Sequence, residues 1–111
     1  MKQITYRINM KTGYCRLVES TQPPIHEYEN NAVRLIFEFN QAILETDRLY
    51  IQITNGTFRK PYRLLRVNSH KYYFDLPREA LKRGRLVWHI QHYNSNDDCQ
   101  KYSPDTYLYI T

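Results

Sequence analysis

The four histidines, His26, His70, His89 and His92, are the residues here best suited to hold a metal or move a proton. His89 and His92 stand three apart in a stretch of strand-like alternation, so their side chains leave opposite faces of a sheet. Neither a carboxylate pair nor a cysteine lies beside them to complete a ligand set, and no metal site is expected. Nucleophilic catalysis would need a Ser or Cys beside a base and an oxyanion donor. Ser20, Ser69, Ser95 and Ser103 all fall in polar, turn-like segments, and no G-x-S-x-G occurs. Cys15 and Cys99 are 99 − 15 = 84 positions apart, without a CxxC or Cys/His cluster, and read as two free thiols. A disulfide between them would require Cα atoms within about 7 Å. The three glycines are too scattered for a phosphate-cradling loop. The expectation is a protein without catalytic residues or a cofactor.

Binding chemistry is better represented. The 111 residues carry 16 Lys+Arg against 11 Asp+Glu, a net charge of +5, and 11 tyrosines. Arg59, Lys60, Arg63 and Arg66 cluster in one segment, and Arg78, Lys82, Arg83 and Arg85 in another. Tyrosines beside positive charge can hold single-stranded nucleic acid. Alternation spreads these charges over both faces, however, Asp75 and Glu79 interrupt the second cluster, and no RNP or OB signature is present. Several tyrosines alternate onto outward faces, Tyr50, Tyr73 and Tyr93 among them, where they offer stiff, amphipathic area suited to a protein interface.

These residues are positioned by a chain whose dominant period is two. Val33, Leu35, Phe37 and Phe39 alternate with Arg34 and Glu38; Leu49, Ile51 and Ile53 with Tyr50 and Gln52; Leu86, Trp88 and Ile90 with Val87, His89 and Gln91. Ile4, Tyr6 and Ile8 predict a strand, as do Tyr14–Val18, the run Tyr72, Phe74, Leu76, and Thr106–Ile110. Asn55-Gly56 predicts a hairpin with a type I′ turn, which also accounts for the Asn55-Gly56-Thr57 glycosylation sequon. Pro61 marks the returning strand as an edge, a bulge or a break. Pro77 and Gly84 bracket a predicted two-turn helix over residues 77–83, with Ala80 and Leu81 facing inward. Thr21–Asn31, with Pro23-Pro24, is the longest irregular stretch, and Asn94–Asp98 a polar turn. Seven or eight short strands at near-regular spacing predict one all-β domain over residues 1–111, an antiparallel β-sandwich. The longest apolar run is four residues, Tyr107–Ile110, and the opening MKQITYRINMKTG holds no signal-peptide core, so a soluble, unexported chain is expected.

Three segments carry a family resemblance. Asn31-Ala32-Val33-Arg34-Leu35-Ile36-Phe37-Glu38-Phe39 resembles the N-x-A-x-x-x-F-x-F strand of the N-terminal domain of phage baseplate upper proteins. Phe74-Asp75-Leu76-Pro77 with Leu81 and Gly84 resembles that family's F-x-L-P … L … G element, and Leu86-Val87-Trp88-His89-Ile90 with its polar turn and final strand completes the order over residues 30–111. The resemblance implies an immunoglobulin-like β-sandwich with one short helix, located in the virion. Its implied role is a tail or baseplate module packing against other phage structural proteins, with a homo-oligomer among the possibilities. It brings no catalytic residues.

The expected contact surface is therefore the outward row Val87, His89, Gln91 and Tyr93, together with Tyr50 and Tyr73. Two rivals predict different behaviour. A small basic nucleic-acid-binding regulator would show steep salt dependence, and a carbohydrate- or receptor-binding sandwich would present a shallow aromatic-lined pocket.

Overall fold

Each run of alternating apolar residues becomes a strand with one face in the core. The computed structural model describes residues 1–19, 21–30, 32–101 and 105–111. Its strands are β1 (Lys2–Ile8), β2 (Cys15–Leu17), β3 (Val33–Phe39), β4 (Arg48–Asn55), β5 (Phe58–Arg63), β6 (Leu65–Arg66), β7 (Lys71–Asp75), β8 (Gly84–Tyr93), β9 (Cys99–Lys101) and β10 (Thr106–Ile110). They form two stacked sheets, β2-β1-β3-β7-β6 (sheet A) and β10-β8-β4-β5 (sheet B), with β9 pairing the far end of β8. The fold is all-β, mostly antiparallel and sandwich-like.

Between the sheets lie Ile4, Tyr6, Leu35, Phe37, Ile51, Ile53, Leu86, Trp88, Ile90 and Leu108, all essentially inaccessible. Trp88 is the hub: Tyr6 meets it edge-on at 4.8 Å and Phe37 at 5.2 Å. Such pairs add about 1 kcal/mol beyond the area they bury. Trp88, fully buried between two aromatic rings, serves as a packing residue.

Four expectations are corrected. Ten strands among the described residues replace seven or eight, because β9 and the two-residue β6 carry too little apolar pattern to be read. The sandwich is not wholly antiparallel, since β1 runs parallel to β3 from Lys2↔Val33 to Ile8↔Phe39. Parallel neighbours need a long crossover; the β1–β2 hairpin and the irregular stretch after it supply one, returning the chain to the end of the sheet where β1 began.

The hairpin turn is displaced by one residue. Asn55 pairs with Phe58, leaving Gly56-Thr57 as the loop, and only Gly56 has positive φ, at 62°. Glycine at the first of two loop positions is the type II′ pattern rather than I′. Asn55 itself is buried, its Nδ2 donating to Ala80 O and Lys82 O at 2.8 Å each.

Those two bonds bear on the fourth correction. The two-turn helix contracts to a single 3₁₀ turn, Arg78–Ala80. Asn55 takes the carbonyls of Ala80 and Lys82, and the Tyr28 N–H takes that of Leu81 at 2.8 Å. With those acceptors engaged from outside, a short segment gains little from the cost of nucleating a helix.

Most of the sheet edges are blunted against further strands. In sheet A they are β2 and β6, three and two residues long. In sheet B, β5 is an edge strand, the first of the three readings Pro61 allowed, and carries that proline among Arg59, Lys60 and Arg63. Proline and long cations discourage strand addition. The opposite edge, β10, is covered by the irregular stretch: Ile25, fully buried, bridges to Ile110, and Thr111 N–H donates to Ile25 O at 2.9 Å.

Candidate functional site

The outward faces of the two sheets offer the broadest surfaces for binding, and they differ in chemistry. On sheet A two arginines pair with carboxylates. Arg34 donates from Nε and Nη2 to both Asp75 oxygens, at 2.7 and 3.0 Å, and Arg7 pairs with Glu38 at 3.3 Å. Tyr73 belongs to this face, its ring under the Arg34 guanidinium at 4.1 Å. It lines a hollow of about 190 Å³ with Gln3, Arg34, Ile36, Val67 and Lys71.

Sheet B is richer in tyrosine and arginine. Registers Arg48↔Tyr93, Tyr50↔Gln91, Gln52↔His89 and Thr54↔Val87 join β4 to β8, and Tyr107↔Val87 and Tyr109↔Arg85 join β8 to β10. β5 adds Arg59, Pro61 and Arg63. All these positions alternate with buried residues or stand exposed at the edge, so they share the outward face. Arg59 and Arg63 have no ion-pair partner among the described residues. Arg85 lies over the Tyr107 ring at 4.4 Å.

Two parts of this face are distinct. At one end Tyr107 and Tyr109 are 43% and 60% exposed beside Val87, with Arg85 close by. At the other, a concavity of about 500 Å³ is lined by Arg48, Tyr50, Gln52, Pro61, Gln91, Tyr93 and Asp97. The Tyr50 and Tyr93 rings meet nearly perpendicular, centroids 5.5 Å apart, with the Arg48 guanidinium 5.7 Å from the Tyr93 ring. Asp97, held at φ 63° in the turn after β8, pairs with Arg48. That hydrogen bond holds Arg48 above its ordinary pKa, and a hydrogen bond with Cys99 likewise raises the Tyr93 phenol.

Five of the six expected contact residues, Tyr50, Val87, His89, Gln91 and Tyr93, therefore share one face, whereas Tyr73 lies on the opposite side of the sandwich. Arg48, Gln52, Pro61 and Asp97 were not singled out as site residues. They reach the concavity only through strand pairing and a turn, although the alternation of Gln52 with Ile51 and Ile53 already assigned that residue outward.

The histidines do not converge. His89 faces outward with Nδ1 3.3 Å from Asp105, and His92 faces the other way with Nε2 2.7 Å from Asp47. Among the described residues no group of three or more His, Cys, Asp and Glu is placed to hold a metal. Ser69 Oγ lies 2.9 Å from His70 Nδ1, but these are neighbours in an exposed turn, where no third group among the described residues orients the ring. Ser20, Ser103 and Asn31, named from the sequence, lie outside the described residues. Neither cysteine is in a disulfide; Cys15 is half-buried on β2 and Cys99 exposed on β9. The basic clusters also disperse: Arg66 turns to Ile43 O and the Tyr72 hydroxyl, and Arg78 to Tyr28 O.

Among solved structures, the N-terminal domain of ORF48 from phage TP901-1, a baseplate protein, superimposes on 99% of this chain and 97% of its own, with a TM-score of 0.59 and 8% identity. The chain has the fold of that phage baseplate domain. No protein-family model matches the sequence, and no curated protein matches it. At 8% identity the likeness is one of backbone architecture. No helix among the described residues is long and apolar enough to cross a membrane.

Proposed function

We propose that this chain is a non-enzymatic structural module of a phage virion, docking onto other tail or baseplate proteins through the outward face of sheet B. The observation that carries this reading is the pairing of the baseplate-domain fold with an outward sheet face on which Tyr107 and Tyr109 stand exposed beside Val87 and Arg85. A partner seated there would cover the tyrosines and contact His89 on the same strand. A specific contact buries roughly 800 Å² on each side. Exposed arginines across the face disfavour stacking it on a second copy, so the favoured partner is a different virion protein.

The immunoglobulin-like description is part of the same proposal. Taking β1, β3, β4, β5, β6, β7, β8 and β10 as A, B, C, C′, D, E, F and G, the sheets read A-B-E-D and G-F-C-C′. The parallel β1–β3 pairing and the added β2 depart from that plan.

The test mixes the purified chain with the tail and baseplate proteins encoded alongside it, followed by light scattering behind size exclusion. A complex that persists at low and high salt, and that Tyr107→Ser with Tyr109→Ser abolishes while the thermal midpoint stays within a few degrees, supports the reading. Co-elution with nucleic acid at low salt, lost at high salt, overturns it in favour of a regulator.

A further inference from the structure

We infer that the concavity at the far end of the same face is a binding site for a neutral saccharide. This does not rest on the protein contact proposed above. Six residues along β8 separate Val87 from Tyr93, about 20 Å at strand rise.

The volume, about 500 Å³, is in the range of small-molecule sites. The perpendicular rings of Tyr50 and Tyr93 make an aromatic corner, a floor and a wall at 88°. Such surfaces complement a ligand with flat C–H faces, and the phenol hydroxyls add polar handles. Gln52 and Gln91 line the same hollow, and neither side-chain amide has a hydrogen-bond partner among the described residues. Each amide offers two donors and an acceptor, the combination that vicinal hydroxyls satisfy. A wholly apolar ligand would leave both amides unpaired, which disfavours it.

Charge narrows the class. Among the described residues Arg48 is the cation lining the hollow, and it is engaged by Asp97. An anionic ligand would have to displace that carboxylate or approach it, and a cationic one would meet Arg48. A single nucleic-acid strand needs cations free to neutralise phosphates; among the described residues that line the hollow none is free, and unpaired Arg63, opposite Tyr50, stands outside the lining. What remains is an uncharged, polyhydroxylated ligand with apolar ring faces.

The test is an NMR titration of the full chain with cellotetraose, chitotetraose and maltotetraose, against 3′-sialyllactose and an oligo-dT as charged probes. At least one neutral sugar should shift the amides around Tyr50, Gln52, Gln91 and Tyr93. Gln91→Ala should weaken that binding about tenfold, the effect of one good polar contact, and leave the spectrum elsewhere unchanged. Tyr93→Phe, which keeps the ring, should bind more tightly than Tyr93→Ala. No shift from any neutral sugar, shifts confined to another surface, or tighter binding of the oligo-dT at this site would overturn the assignment. Tyr107→Ser with Tyr109→Ser should leave sugar binding intact, which separates this inference from the docking one.

Discussion

The side chain of Gln22 pairs with the backbone of Tyr109 as a neighbouring strand would. Its Nε2 donates to Tyr109 O at 2.9 Å while its Oε1 accepts from Tyr109 N–H at 2.8 Å. One side-chain amide thus satisfies both outward backbone groups of an edge residue, and an open edge invites pairing with another chain.

Gln22→Ala should cost about 1 kcal/mol, the low end for two exposed hydrogen bonds, and speed amide exchange at Tyr109 well beyond the global effect. Gln22→Glu, which keeps the acceptor and loses the donor, should fall between. Unchanged Tyr109 exchange in Gln22→Ala would mean that the rest of the segment closes this edge without it.

Asn55 fastens the β4–β5 hairpin to the 3₁₀ turn from the inside. Asn55→Ala removes two buried donors and leaves the Ala80 and Lys82 carbonyls seeking partners. A loss of about 2–4 kcal/mol is expected in urea unfolding, since unsatisfied buried acceptors bear their full desolvation cost. Thr57→Ala breaks the sequon but not these bonds and should lie within about 0.5 kcal/mol of the parent.

Asn55 also marks where the sequence stopped being legible. The alternation of Leu49, Ile51 and Ile53 located β4, and the same logic placed β3, β7, β8 and β10, because a half-buried strand writes its burial directly into a period of two. The turn moved by one residue because the carbonyls that hold Asn55 inside belong to residues 25 and 27 positions away. The helix bracketed by Pro77 and Gly84 shrank for the same long-range reason. The parallel β1–β3 pairing and the sheet change at Leu64, buried between β5 and β6, left no local pattern. Of the concavity, outward tyrosines were readable, but its Arg48–Asp97 wall joins positions 49 apart.

Cys15 and Cys99 should differ sharply in reactivity. Burial pushes the Cys15 thiol up to about 11, although a hydrogen bond with Thr106 lowers it in part. At pH 8 it stays protonated and shielded, so iodoacetamide should label exposed Cys99 and leave Cys15 until the chain unfolds. The raised value also sets a pH trend. Favouring the thiol stabilises the fold fully below the ordinary value of 9.0, and that contribution is lost as pH rises from 9.0 through about 11. Cys15→Ala should therefore show a flatter stability curve across that window, and equal labelling of both cysteines in the native state would contradict the burial argument.

Glu29 supplies the complementary acid-side prediction. Burial alone would raise its carboxyl, but the His26 backbone N–H, donating at 2.8 Å, and Lys2, with Nζ at 3.0 Å, outweigh it and hold the group below its ordinary value. Lys2 also donates to Pro24 O, so this carboxylate ties the start of β1 to the segment that closes the β10 edge. A depressed carboxyl stabilises the fold above its ordinary value of 4.5 and loses that contribution as pH falls through the folded value. Glu29→Gln should lower the thermal midpoint at pH 7, and the gap to the parent should shrink once pH drops below 4.5. Added salt at pH 7 should narrow the gap only partly, because the bond from the His26 N–H is short-range while the Lys2 attraction is screened. A gap that stays constant from pH 7 to pH 2 would show that Glu29 acts here through packing and not through its charge.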